Sequence, residues 1–143
     1  IHDVKNFKRE KNHFIIDTGS PHYVVFTEKV KDIDVLSEGR KIRYSKEFND
    51  KGINIDFAEF MGDCIFVRTY ERGVEDETLS CGTGVTATAI AANELNLLKE
   101  NSCSLRTTGG DLKVYFTKSG TSFYSDIWLE GPAVCVYKGE IHL

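Results

Sequence analysis

The stretch Val85-Thr86-Ala87-Thr88-Ala89-Ile90-Ala91-Ala92 carries no charge on any face, and no other feature constrains the fold as strongly. A helix that is apolar or small all round has no side to offer water, so it is enclosed on every side. Ala and Thr keep such a helix thin enough to thread the inside of a curled sheet. It is predicted to run from about Gly82 to Lys99, since charges return only at Glu94, Lys99 and Glu100, near its exit. Strand signals supply the enclosing wall. The segments His13 to Ile16, His22 to Phe26, Ile53 to Phe60, Cys64 to Tyr70, Ser102 to Arg106, Leu112 to Thr117, Phe123 to Glu130 and Ala133 to Tyr137 are short and rich in β-branched and aromatic residues. Gly, Asp, Asn, Ser or Pro bounds each of them. The expected fold class is therefore α+β, a β-barrel-like curled sheet of about eight strands around a central buried helix.

Two local patterns add detail. Alternation in Ile53-Asn54-Ile55-Asp56-Phe57 puts Asn54 and Asp56 on one face of an extended segment and the three apolar residues on the other. That polar face needs a partner or water. Asp34 to Tyr44 reads as a second, peripheral helix with Asp34 as its N-cap, although Gly39 weakens it.

The 143 residues fit one domain, 1–143, able to bury about 68–70% of its unfolded surface. A net charge of -4, with basic residues scattered among acids, excludes nucleic-acid backbone binding as the main function. No run approaches the roughly 18–20 apolar residues of a spanning helix, and His2, Asp3, Lys5, Lys8, Arg9, Glu10 and Lys11 stand where a signal peptide is apolar. A cytoplasmic protein with no membrane partner is expected. A chain opening at Ile1 rather than Met suggests a processed, excised or truncated piece of something longer, and an artefact of preparation is equally compatible. Cys64, Cys81, Cys103 and Cys135 form no Cys-x-x-Cys pair and have no His at ligand spacing, so reduced thiols and no metal are expected. Three of them read as small buried hydrophobes in strands.

Cys81 differs. The segment Glu71-Arg72-Gly73-Val74-Glu75-Asp76-Glu77-Thr78-Leu79-Ser80-Cys81-Gly82-Thr83-Gly84 leads from a strand directly into the buried helix, so Cys81 sits at the helix mouth. Unpaired N–H groups and the positive end of the helix dipole favour a thiolate there, with a depressed pKa and raised reactivity. Gly82, Thr83 and Gly84 have little bulk, so an anion, most simply a carboxylate, can approach their amides. No P-loop lysine and no third glycine of a dinucleotide fingerprint is present. On the tetrapeptide alone, a plain strand-to-helix turn and a reactive thiol beside an anion site stay equally open. Glu75 and Asp76 read as solvated loop charges.

Glu71-Arg72-Gly73, Glu77-Thr78 and Cys81-Gly82-Thr83-Gly84, followed by a small-residue helix, resemble the second catalytic half of diaminopimelate epimerase. The resemblance extends to Thr18-Gly19-Ser20-Pro21-His22, similar to the family's Gly-Asn-Pro-His turn, to Ile53-Asn54-Ile55 and to Gly131-Pro132-Ala133. It implies one half of a two-domain fold whose N-terminal half is absent from this chain. Three departures stand out. Ser20 replaces the family's usual substrate-contacting Asn, no Gly-Asn-Gly-x-Arg-Cys segment is present, and one extra residue lies between Glu71 and Cys81.

What the resemblance implies is a cofactor-independent isomerase converting LL-2,6-diaminopimelate to the meso form, for lysine and peptidoglycan precursors. Two cysteines flank the α-carbon and exchange the roles of acid and base. Cys81 is then one of them, the other coming from the N-terminal half as partner. By the same resemblance, Gly82 and Thr83 amides bind the reacting carboxylate, Glu71 holds the reacting ammonium, and Arg72 pairs with the distal carboxylate. Asn54 bonds the remote amino-acid end, and His22 supports the site near Cys81. The surface left by the missing half is expected to permit a homodimer. Two alternatives stay open: a non-catalytic ligand-binding or assembly half, and an amino-acid racemase resembling proline racemase.

Overall fold

The uncharged stretch forms the helix it demands and the strands enclose it. The computed structural model describes residues 1–142. One mixed sheet contains nine strands: β1 (Phe7–Arg9), β2 (Phe14–Asp17), β3 (Pro21–Phe26), β4 (Asn54–Phe60), β5 (Ile65–Glu71), β6 (Asp76–Thr78), β7 (Ser102–Thr107), β8 (Gly110–Ser119) and β9 (Phe123–Glu130). Their spatial order is β1-β2-β3-β4-β5-β7-β8-β9, with β6 folded back on β5 as a hairpin. The ends of this path meet, because Val4 ahead of β1 exchanges both backbone hydrogen bonds with Tyr124 of β9 at 2.9 Å.

Only β3–β4 and β5–β7 run parallel, and a parallel step needs a crossover. The two crossovers use opposite faces of the sheet. The first passes outside through a 3₁₀ turn (Val30–Asp32) and helix α1 (Val35–Arg43), and the second passes inside through α2 (Gly82–Glu94). From Gly84 to Ala92 every residue of α2 is buried, packed among Val24, Ala58, Val67, Leu105 and Val114. A second core lies outside β4 and β5, where Ile53, Ile55, Phe57 and Tyr70 meet Val30 and Val35. Thus β4 is covered on both faces, Ile55 and Phe57 under α1, and Asn54, Asp56 and Ala58 turned to the interior.

Asp34 caps α1 as expected, its carboxylate accepting from the Ser37 amide at 3.1 Å. Gly39 has a packing reason. A Cβ there would lie 2.5 Å from Cγ of Tyr70, so the ring of β5 occupies the space a side chain would need. Gly39→Ala should therefore destabilise the protein. The roughly 1 kcal/mol of helix propensity gained is outweighed by overpacking that costs about 1–3 kcal/mol. A urea midpoint that stays put or rises would show that α1 is free to move off Tyr70.

Four sequence expectations fail locally. Helix α2 stops at Glu94 rather than Lys99, because Asn96 adopts a left-handed φ of 57°. The amides of Asn96 and Leu97 then bond back to the carbonyls of Asn93 and Ala92, a Schellman ending that terminates the helix. Strands β1 and β6 were not expected, being too polar to show an apolar alternation. Ala133 to Tyr137 is no strand: residues 131–142 lie outside the sheet and are exposed. Strand β9 pairs with β8 along one side, and on the other a single bridge joins Tyr124 to Val4. Cys135 goes with that segment and is exposed, Cys64 is half-buried, and only Cys103 of these three is the buried strand hydrophobe expected. Among the described residues no helix is long and apolar enough to cross a membrane.

Candidate active site

Cys81 is the N-cap of α2, in extended conformation (φ −124°, ψ 108°), and its carbonyl accepts the first helical bond, from Val85, at 2.9 Å. Its Sγ lies 3.5 Å from Thr83 Oγ1. Thr83 Oγ1 is in turn 2.9 Å from Nε2 of His22 on β3, whose Nδ1 is 2.6 Å from Oδ2 of Asp56 on β4. Thr69 of β5 donates to the other Asp56 oxygen at 2.7 Å. Parallel pairing of β3 with β4 sets His22 beside Asn54, and antiparallel pairing of β4 with β5 sets Asp56 opposite Thr69. Three neighbouring strands thereby point one polar line at the helix mouth.

Gly84 lets the helix come so close. A Cβ at that position would collide with Asp56 Oδ1 and lie 3.2 Å from Cε1 of His22. The turn before β3 adds a clamp, since Thr18 Oγ1 donates to the Thr83 carbonyl at 2.9 Å.

The expected depression of the Cys81 thiol pKa does not hold. Burial to 7% exposure pushes the pKa up, and the negative charges of Asp56 and Glu71 add to this, while the Thr83 hydroxyl and the Gly84 amide pull the other way. A helix terminus lowers a thiol pKa, but here desolvation and the buried carboxylate outweigh it. Burial thus favours the neutral thiol over the thiolate at Cys81. Nor is it the accessible cysteine, a position held by Cys135.

The residues expected in the site fall into two connected groups. Cys81, Gly82, Thr83 and His22 share the helix mouth. Asn54 links them to the second group: its Nδ2 donates to Ser20 Oγ at 2.7 Å and to the Pro21 carbonyl at 3.0 Å, and lies 3.5 Å from His22 Nε2. Its Oδ1 accepts from the Arg72 amide at 2.9 Å, tying down the end of β5 that carries Glu71. So Asn54 is already bonded at both ends of its amide and braces Ser20 and Arg72. The Arg72 guanidinium donates to the Lys51 carbonyl at 3.0 Å, and among the described residues neither it nor Glu71 forms an ion pair.

Glu75 is not the solvated charge the sequence suggests. Its carboxylate accepts from Tyr70, Tyr44, Arg43 and the Gly73 amide at 2.9–3.2 Å. Burial opposes its ionisation, yet the Gly73 amide, the two phenols and Arg43 together hold its pKa below the usual carboxylate value. It fastens the β5–β6 turn, next to Arg72, to the end of α1. Asp76, by contrast, is exposed. Asp56, Thr69 and Thr18 were likewise not recognised as site residues. The period-two pattern marked Asp56 as needing a partner, but only the strand order shows that His22 and Thr69 are that partner.

A family model described as diaminopimelate epimerase matches residues 14–136. The chain is 43% identical to a diaminopimelate epimerase of Flavobacterium psychrophilum over 97% of its own length and 54% of the relative's. Against the diaminopimelate epimerase of Archaeoglobus fulgidus the identity is 41%, over 99% of this chain and 48% of the relative. The chain therefore spans about half the length of the curated relatives it matches. Among solved structures, a phenazine biosynthesis protein of the PhzF family from Enterococcus faecalis superposes with a TM-score of 0.55 at 20% identity, over 87% of this chain and 42% of that one. A predicted epimerase from Pseudomonas aeruginosa gives 0.57 at 13% identity, over 89% and 42%. These two speak for the fold, whereas the sequence match spans the helix mouth, the His22 turn and the end of β5 together: the chain belongs to the diaminopimelate epimerase family.

Proposed function

We propose that this chain supplies one of two catalytic thiols for the cofactor-independent epimerisation of LL-2,6-diaminopimelate to meso-diaminopimelate. The observation that carries the reading is the placement of Cys81, a thiol at the N-terminus of a buried helix, 3.5 Å from a hydroxyl that is itself bonded to a buried imidazole. Inverting a carbon centre requires a proton to leave one face and another to arrive at the opposite face. Cys81 serves one face, and a second thiol, in an N-terminal half, serves the other. As a thiol Cys81 delivers a proton and as a thiolate it takes one, according to the direction of the reaction.

The carboxylate next to the reacting carbon gains negative charge as the α-proton leaves. The first amides of α2, Gly82 and Thr83, have no partner within the helix, and the helix dipole adds to their pull, so they favour the transition state over the ground state. Glu71 holds the reacting ammonium, and Arg72 receives the distal carboxylate with a guanidinium that, among the described residues, no side-chain carboxylate pairs with. That free cation favours a dicarboxylic substrate over a monocarboxylic one such as proline. Asn54 acts mainly by bracing, its amide being fully engaged.

The direct test incubates the polypeptide as encoded with LL-diaminopimelate in deuterated water. Meso product carrying deuterium at the inverted carbon, unaffected by carbonyl reagents and chelators, is the expected result. Ligand binding without exchange would instead make the chain part of a binding protein. Arg72→Ala should chiefly weaken substrate binding, by about 1.5–3 kcal/mol for a lost charge-assisted contact, read as a raised KM. An unchanged KM would remove Arg72 from the distal carboxylate.

A further inference from the structure

We propose that Asp56 is a positioning residue for the reaction, acting on Cys81 through His22 and Thr83. The inference rests on the two-thiol reading above. Asp56 and His22 are both completely buried, and they meet at 2.6 Å between Oδ2 and Nδ1. An ionised carboxylate only accepts, so the hydrogen of this contact sits on Nδ1. Nε2 is then the acceptor nitrogen, and the group facing it at 2.9 Å is the Thr83 hydroxyl, which has a proton to give. With its proton committed to His22, Thr83 Oγ1 offers a lone pair to the Cys81 thiol at 3.5 Å. Every link runs the same way: thiol to hydroxyl, hydroxyl to imidazole, imidazole to carboxylate.

Such a chain gives the Cys81 proton somewhere to go. As the S–H bond breaks, the proton passes to Thr83 Oγ1, the Thr83 hydroxyl proton passes to His22 Nε2, and the products are a thiolate and an imidazolium held against Asp56. No proton leaves the set and no electron pair changes oxidation state. When the thiolate takes a proton from a substrate carbon its sulfur is filled, so the stored proton stays on the imidazolium and leaves it for solvent; it returns along the same path only where no substrate proton has been taken. The other His22 tautomer breaks the chain, because Nε2–H would then face the Thr83 oxygen and the hydroxyl would have to turn toward sulfur.

Asp56 is itself held in one orientation. Thr69 donates to Oδ1 at 2.7 Å, and Gly84 leaves room for that oxygen where any side chain would strike it. Apart from His22, Cys81 and Asp56, the ionisable group acting on this line is Glu71, which adds to the upward shift of the Cys81 pKa. A structural ion pair would need none of this alignment.

The experiment uses the polypeptide as encoded, ¹⁵N-labelled at histidine, with Asp56→Ala and the volume-conserving Asp56→Asn. In the unmodified protein the His22 nitrogen signals should show Nδ1 protonated and Nε2 bare at neutral pH. Asp56→Ala should mix the tautomers and lower kcat about 100-fold, the lower end of what positioned proton transfer contributes, with KM unchanged. Asp56→Asn, whose carbonyl oxygen still accepts from Nδ1, should keep the tautomer and lose less. If Asp56→Ala does not fold, Thr69→Val, which frees one carboxylate oxygen, takes its place with the same signs and a smaller fall. Full kcat with a changed tautomer, or a lost kcat with an unchanged one, overturns the proposal. An unmodified polypeptide that binds diaminopimelate but never inverts it overturns the two-thiol reading instead, and this inference falls with it.

Discussion

Cys81→Ser is expected to remove nearly all epimerisation, at least ~10³-fold, while leaving the fold in place. The two halves of that statement have separate causes. Serine is nearly isosteric with cysteine and is among the favoured N-cap residues, so the start of α2 loses nothing and stands to gain a capping bond. An alcohol, however, is far too weak a base to take an α-proton, and positioned acid–base groups contribute roughly 10²–10⁴-fold each. Thermal unfolding should therefore be unchanged, and meso product should vanish together with deuterium incorporation at the face Cys81 serves. Turnover near that of the unmodified protein would mean that the helix mouth is not where the proton moves.

That prediction uses a residue visible in the sequence, and the reason it was visible is physical. A run of eight uncharged small residues has one way to be stable, so α2 and the closed sheet around it follow from Val85–Ala92, and the position of Cys81 follows from α2. Strands with apolar alternation were legible for the same reason. Less legible were contacts that depend on which strands become neighbours. Asp56 is a lone acid in an alternating segment until β3 and β5 flank β4 and put His22 and Thr69 on either side of it. Glu75 shows no pattern because its four donors come from α1, β5 and its own turn. The thiol pKa had the opposite sign to expectation because a helix terminus is a local property, whereas desolvation is a property of the finished fold. Residues 131–142 show a related limit. Alternating Val134 and Val136 have the chemistry of a strand, but no strand of this sheet pairs with them, and both stay exposed.

The 143 residues alone are expected to fold cooperatively and yet make no meso-diaminopimelate. The first half of this follows from closure. The sheet buries α2 from Gly84 to Ala92, its two ends are bridged at Val4 and Tyr124, and a second core is covered by α1, so the chain contains its own hydrophobic interior. The second half follows from where the other thiols are. Cys103 is buried in the core on β7, with burial pushing its pKa up to about 12. Cys64 is half-buried ahead of β5, and Cys135 is exposed in the segment beyond β9. None of the three stands at a helix mouth, so Cys81 addresses one face of a bound α-carbon and nothing in the chain addresses the other. A site lacking its second wall is also open to water, which weakens the stabilisation that the Gly82 and Thr83 amides give to developing charge. Slow exchange at the α-carbon with retention of configuration is the most that one thiol can support. Incubating the purified chain with LL-diaminopimelate in deuterated water, and following deuterium uptake and chiral composition together, separates these outcomes. Retained LL substrate, with or without a little deuterium, is expected. Efficient formation of the meso isomer by this chain alone would refute the assignment of the opposite face to a second half.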